Sequence, residues 1–263
     1  MRHFKLFGIL LRLSALNELQ YRANFFMELF NSILAAITGL AGLGLVFYHT
    51  NNLGGWSPNE LLVVMGVYLF IGGVVGVIIQ PNMALLMENI QDGTFDYTLV
   101  KPEDAQFLAT FRQMQIWKVI DLVLGASLII YAVIQLGQSI GLDQAVIFAL
   151  TLIAGGIMVY CLWLILTTTS FWFVRVYSII SLLESIYQAG RWPVTLYPFG
   201  LQMVLTFLVP VAFAVTVPAS VLSSSQLVPS WYPFAAMGLA AVMFIVARAF
   251  WLYGIRHYGG ASA

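Results

Sequence analysis

Glu88, Asp92, Asp96, Glu103 and Asp104 lie within "ENIQDGTFDYTLVKPEDAQF", residues 88–107, and are five of the chain's eleven carboxylates. Acids this dense could hold a divalent cation, work as a general acid and base, or face a soluble partner. Asp92 and Asp96 share a face if the segment is helical. However, "DG" at 92–93 favours a turn, and the D-x-D-x-D-G spacing of a calcium loop is absent. An acid–base pair also needs a pocket, and no neighbouring pattern supplies one. Two readings stay open from these residues alone: a solvated loop, or a docking surface.

Other chemistry finds little support. The histidines are His3, His49 and His257, all at span ends or termini, and neither "HExxH" nor "GxSxG" occurs. With no base beside a nucleophile, an intramembrane hydrolase has no machinery. "GxxxxGK[ST]" is also missing, so the chain carries no P-loop of its own. We therefore assign no catalytic and no metal-binding residue. Cys161, the one cysteine, lies in an apolar run and reads as a small apolar residue, with no disulfide within the chain.

The elements that must position the acidic stretch are apolar. Of 263 residues, 61% are hydrophobic and 8% charged, against about 25% charged in soluble domains. Such a chain cannot cover its surface with polar groups, so lipid is its main solvent. A formal net charge of zero gives no reason to expect nucleic acid. "FGILL", interrupted by Arg12, is too short to be the core of a cleaved signal and is expected to remain.

A spanning helix needs about 20 mostly apolar residues. Such runs lie near 28–49, 61–80, 119–137, 145–173, from Tyr197 onward, and 233–253. Open sheets cannot satisfy their backbone in lipid and the runs do not alternate, so the expected fold is all-α and polytopic, with six transmembrane helices. Residues 1–263 form a single transmembrane domain on this reading. All eleven Lys and Arg fall on the side of the termini, including Arg2, Lys5, Arg22, Arg175 and Arg191, which places both termini in the cytoplasm. Pro210 and Pro218 interrupt the fifth run, so it either kinks or breaks and dips back from the outer face. Residues 176–190 sort into an apolar and a polar side and read as an in-plane amphipathic helix; residues 3–22 read as an interfacial helix. Gly72 and Gly76 form a small-xxx-small packing face on span 2, as Ala35 and Gly39 do on span 1. Trp56, Trp231, Tyr232, Trp251 and Tyr253 read as interface anchors. Span interiors nearly free of ionisable groups argue against an ion-coupled secondary transporter. That transporter and a non-transport membrane scaffold remain the alternative functions.

Two segments carry a family resemblance. "QDGTFDYTLVKP", 91–102, has a polar residue, then Gly-Thr-apolar-Asp, an apolar pair, a basic residue and Pro. "RWPVTLYPFGLQMVLTFLVPVAFAVTVPASVL", 191–222, has an early Pro, a leucine-rich helix, "VPVAF" and a further Pro; it departs from the pattern at Gly200 to Met203, where related sequences often carry charge. Together, with the order of spans, they resemble the permease subunits of type 2 ABC exporters, in the short six-span branch with a separate ATPase. The resemblance implies a multi-pass plasma (inner) membrane protein that pairs with an identical or related permease and binds two ATPase subunits, which hold the ATP and Mg. This chain itself would carry no cofactor. It implies a coupling element in the loop at 81–118, with Asp92, Gly93, Thr94, Phe95, Asp96, Tyr97, Leu99, Lys101 and Pro102 in it, and Phe95, Tyr97 and Leu99 turned toward the ATPase. It also implies an N-terminal interfacial helix, a re-entrant segment after helix 5, and export of a lipid, glycan, drug or other amphiphile. The cargo path would run between permeases along spans 1, 2 and 5, with Asn31, Thr38, Gln80, Gln202 and Thr206 as polar candidates on it.

Overall fold

The computed structural model describes residues 2–20, 22–137, 140–173, 177–223 and 227–259. Arg175 and Val176, and the side chains of Arg2, Lys5, Arg22, Ile179 and Ile180, lie outside the described part. Among the described residues every regular element is helical, and the only β pairing is an isolated bridge between Leu53 and Trp56.

In chain order, α1 (Arg2–Gln20) precedes α2 (Arg22–His49), the first long apolar helix. A capping box starts α3 (Pro58–Val74): Ser57 Oγ accepts from the Glu60 amide, the Glu60 carboxylate accepts from the Ser57 amide at 2.7 Å, and Pro58 fills the first turn. A π turn at Val75–Ile79 carries α3 without a break into α4 (Gln80–Gln91). The following loop holds two short helices, α5 (Asp96–Leu99) and α6 (Ala105–Phe111). Then come α7 (Val119–Leu136), closed by left-handed Gly137, and α8 (Leu142–Thr168). After α9 (Tyr177–Tyr187) and turns of 3-10 helix, α10 (Phe199–Met203) leads to α11 (Val217–Ser223), with π turns on either side of Pro210. The last helix is α12 (Tyr232–His257).

Five helical stretches are long and apolar enough to cross a membrane: Phe25–His49, Pro58–Gln91, Ile116–Leu136, Leu142–Phe171 and Tyr232–His257. The chain is a multi-pass membrane protein. The seam between spans 2 and 3 is the tightest contact. A Cβ on Gly125 would sit 2.6 Å from the Phe70 amide nitrogen and 2.7 Å from the Gly66 carbonyl, and one on Gly73 would sit 2.9 Å from the Leu122 nitrogen. Glycine is required where backbones come this close. Gly72 and Gly76, the small-residue pair expected to pack against a neighbouring helix, are not the residues of closest backbone approach here. Gly72 looks onto the Tyr187 ring and Gly76 onto the Lys118 side chain, because Gly66 and Gly73, seven residues apart, present the face that meets span 3.

The fifth run breaks rather than kinks. Phe199–Leu208 and Ala212–Ser223 meet at 80° across Pro210, where proline removes a donor and crowds the preceding turn. The first arm exposes Phe199, Phe207 and Leu208, while the second is buried. The second arm runs back along α8, from Ala214 beside Gly155 to Val221, whose carbonyl accepts from Gln144 at 2.6 Å.

Of the segment expected to lie in the plane, 176–190, the part from Glu184 onward runs along span 2. Glu184 meets Gln80, Tyr187 stacks on Tyr68 at 5.1 Å, Gly190 packs beside Tyr68, and Thr195 accepts from the Trp56 indole at 2.9 Å. From Gln80 back to the start of α3 is roughly 30 Å of helix, one hydrocarbon thickness. Residues 184–195, here labelled the fifth crossing, thus run beside span 2 ahead of the bent pair Phe199–Leu208 and Ala212–Ser223. On its polar side Glu184 and Gln188 line a cavity, while Ser178, Ser181 and Ser185 stay exposed, the last two donating to carbonyls of their own helix. Two expected anchors are interior: Trp56 and Trp251 are fully buried.

Candidate functional site: the basal loop and a polar cavity

The loop after span 2 is built to be rigid. α4 ends with the Asp92 amide bonded to the Glu88 carbonyl at 2.9 Å; Gly93 turns left-handed at φ 70°, and the Phe95 amide returns to the Asn89 carbonyl at 3.0 Å. Asn82, 1% exposed, pins the far side of the loop: its Nδ2 donates to the Ile78 and Gln113 carbonyls at 2.6 Å each, and its Oδ1 accepts from the Gln113 amide at 2.8 Å. The Gln115 amide donates to the Val77 carbonyl inside the π turn at 3.0 Å. α1 adds a third clamp. The Glu18 carboxylate accepts from the Ile116 amide at 2.8 Å and the Trp117 amide at 3.2 Å, and Ser14 Oγ accepts from the Met114 amide at 3.1 Å. These are the unpaired first amides of span 3, and a carboxylate suits a helix start. Burial nevertheless raises the Glu18 pKa above its ordinary value, the two amide bonds opposing it.

Phe95 points inward, contrary to the expectation that it faces a partner. It is 1% exposed and packs on Phe171 at 5.6 Å, Trp251 at 6.0 Å and Tyr258 at 5.6 Å. An unpaired phenyl ring at the base gains more from this aromatic pocket at the ends of spans 4 and 6 than from water. Leu99 also packs against the core. The outward face belongs to Asp92, Thr94, Tyr97, Val100, Lys101 and Pro102, with Tyr97 72% and Val100 80% exposed; Asp96 is half-buried. Val100 was not among the expected residues, although its place three beyond Tyr97 on a helical turn could have marked it.

Asp104 completes the loop. Its side chain caps α6 by accepting from the Phe107 amide at 3.1 Å, and it accepts twice from Arg248 of span 6. That guanidinium, first through its hydrogen bond, holds the Asp104 carboxyl below the usual range. Arg248 also donates to Gln106 at 2.6 Å, and Gln106 donates to the Tyr160 hydroxyl at 2.9 Å. The acids of the stretch do not converge; among the described residues no three His, Cys, Asp or Glu side chains come together as metal ligands would.

A cavity of about 400 Å³ opens between spans 1, 2, 3 and 5, with Trp163 of span 4 also on its wall. Asn31 and Gln80 line it, together with Glu28, Ser32, Glu184 and Arg191. The other path candidates stay out of it. Thr38 is exposed and bonds the Leu34 carbonyl, while Gln202 and Thr206 spend their polar groups on backbone carbonyls of the re-entrant turn. Arg191 is a correction to the charge map: it lies beside Tyr68 well inside span 2, its guanidinium 5.7 Å from that ring, rather than at the end where Lys101, Arg112 and Arg256 sit. The membrane interior is thus less free of charge than the sequence suggested. A second groove, of about 990 Å³, is walled by apolar side chains of spans 2, 4 and 6 and reaches the Asp104–Arg248 pair at one end.

These are features of a membrane protein with a clamped, exposed basal loop and a polar interior cavity. A family model described as ABC-2 family transporter protein matches residues 33–262. The chain belongs to the ABC-2 transporter family. Permeases of this family are membrane subunits without an ATPase of their own. The match covers this permease from span 1 to the end of span 6 and leaves α1 outside. No curated protein and no solved structure matches the chain.

Proposed function

We propose that this ABC-2 permease is the transmembrane subunit of an ATP-driven exporter, with a separate ATPase seated on the outward face of residues 91–102. The observation that carries this reading is the two-sided build of that segment. Phe95 locks it to spans 4 and 6, while Tyr97 and Val100 stand exposed within a rim of Asp92, Thr94 and Lys101. A solvated loop has no reason to display two large apolar side chains on a rigid frame; a docking lever does, with apolar anchors inside a charged rim. Two ATPase subunits would hold ATP and Mg, and their closure would push this lever and so move span 2 and the clamped start of span 3.

A second permease, identical or related, pairs through span 1. That helix buries little of itself within the chain and leaves Phe26, Met27, Phe30 and Ile37 exposed. The termini face the cytoplasm of the plasma membrane, where the basal Lys and Arg lie. The cargo, an amphiphile, passes along spans 1, 2 and 5 and uses the polar cavity there. Purification from cells that make every native subunit tests the reading: a P-loop ATPase accompanies the wild type stoichiometrically and is lost when Tyr97→Ala and Val100→Ser are combined. An ATPase that stays bound to that variant would place its docking site elsewhere.

A further inference from the structure

Arg191 lies roughly 15 Å into span 2, counted from Pro58 to Tyr68, near the middle of the hydrocarbon. A guanidinium at this depth is costly unless a carboxylate or carbonyls take its donors. Its Nε is buried with no hydrogen-bond partner among the described residues. The Ser32 hydroxyl, 7% exposed and on the wall of the same cavity, is also unpartnered. Positive charge and an idle donor thus line the same space.

The same wall also carries the opposite sign. Glu184, in α9, and Arg191, at the end of the 3-10 turn that follows it, both line the cavity. The Oε1 of Glu184 accepts from Gln80 at 2.8 Å, and Glu28 joins it on the cavity wall. Lys118 and Asp121, also on the wall, neutralise each other at 3.1 Å. Among the described residues that leaves one guanidinium and two carboxylates on the wall, with the stacked Tyr68–Tyr187 pair and Trp163 beside them. Aromatic faces beside carboxylates suit an ammonium group.

We propose that this cavity selects an amphiphile with a zwitterionic head, its acidic group on Arg191 and Ser32 and its ammonium group between Glu184 and Glu28. This rests on reading the cavity as the cargo site. A purely anionic head would meet two uncompensated carboxylates, a cationic head would leave Arg191 unpaired, and a neutral head would leave all three groups without counter-charge.

The test uses the full-length protein with whatever subunits accompany it, held in neutral dodecyl maltoside. Dodecylphosphocholine, dodecyl phosphate and dodecyltrimethylammonium share a chain length and differ in head. Bound copies are counted by native mass spectrometry. The zwitterion is expected to bind at least roughly tenfold more tightly than either singly charged probe. Arg191→Met should abolish that preference, Arg191→Lys keep part of it, and Glu184→Gln weaken the zwitterion while sparing dodecyl phosphate. Equal or tighter binding of dodecyl phosphate, equal binding of dodecyltrimethylammonium, or no preference in the wild type would each overturn the proposal. The wild-type comparison stands even if a variant fails to fold. Binding is read without ATP, so a headgroup-blind permease that still holds its ATPase refutes only this inference. A selective permease with no ATPase refutes only the function proposed above.

Discussion

Arg248 of the last span holds Asp104 of the basal loop in a two-pronged grip, Nη2 to Oδ2 at 2.6 Å and Nη1 to Oδ1 at 3.2 Å. The grip joins elements 144 residues apart and places the cap of α6 under the control of span 6. Both side chains are partly open to solvent, so the pair contributes at most about 1 kcal/mol. Arg248→Ala should therefore loosen the loop without unfolding the protein. Hydrogen exchange of residues 96–111 should rise in that variant, and Arg248→Lys, a point charge in place of a fork, should restore only part of the protection. The Asp104 carboxyl titrates below its ordinary 3.8. Its contribution is thus complete above that value and is lost only as pH falls through the lowered one, so the protection should be flat between about pH 5 and pH 8.

Glu18 titrates in the opposite sense. Burial raises its pKa above the ordinary 4.5, so the stability linked to it is fullest below that value and declines as pH rises through the raised one. Glu18→Ala removes this slope and leaves the Ile116 and Trp117 amides uncapped, at a cost of about 1 kcal/mol at neutral pH. Melting of wild type and variant across the acid range checks both statements: the difference between the two curves should shrink as pH rises.

Phe95→Ala and Tyr97→Ala should fail in different ways. Emptying the pocket among Phe171, Trp251 and Tyr258 costs about 3–5 kcal/mol and should lower the melting temperature. Tyr97→Ala touches an exposed side chain and should stay within about 0.5 kcal/mol of wild type, yet lose the ATPase. Thermal melts paired with pull-downs separate the two effects.

Gly125→Ala should damage the seam of spans 2 and 3, because the new methyl group meets backbone at 2.6 Å. Gly72→Ala has its nearest neighbour at 3.8 Å, on the Tyr187 ring, and should melt like wild type. Equal losses in both variants would return the packing role to Gly72.

Much of the fold was legible because lipid imposes a length on every apolar run. Spans 1 to 4 and 6 stand where hydropathy put them, and Pro210 breaks its helix. The fifth crossing was missed for a physical reason. Serines, Glu184 and Gln188 made it look like a helix half in water, whereas those groups line a protein cavity or bond locally; Ser185, for instance, donates to the Ser181 carbonyl at 2.9 Å. Composition cannot distinguish the two kinds of polar surroundings. Arg191 was assigned to the basal side for the same reason. The turn at Asp92–Gly93 could be read from "DG", but the direction of Phe95 could not, since alternation within one short turn fits either face. Partners supplied by span 6, such as Trp251 and Arg248, are invisible at a separation of more than 140 residues.

The central claim is that the outward face of 91–102 receives force from an ATPase. A photoreactive benzophenone side chain at Tyr97, and separately at Val100, irradiated in cells that make every native subunit, tests it most directly. The account predicts that both positions capture a protein bearing a P-loop, and that a probe at the buried Phe95 captures only the permease itself. Capture of that ATPase from neither exposed position, while a probe elsewhere on the base captures it, would contradict the account.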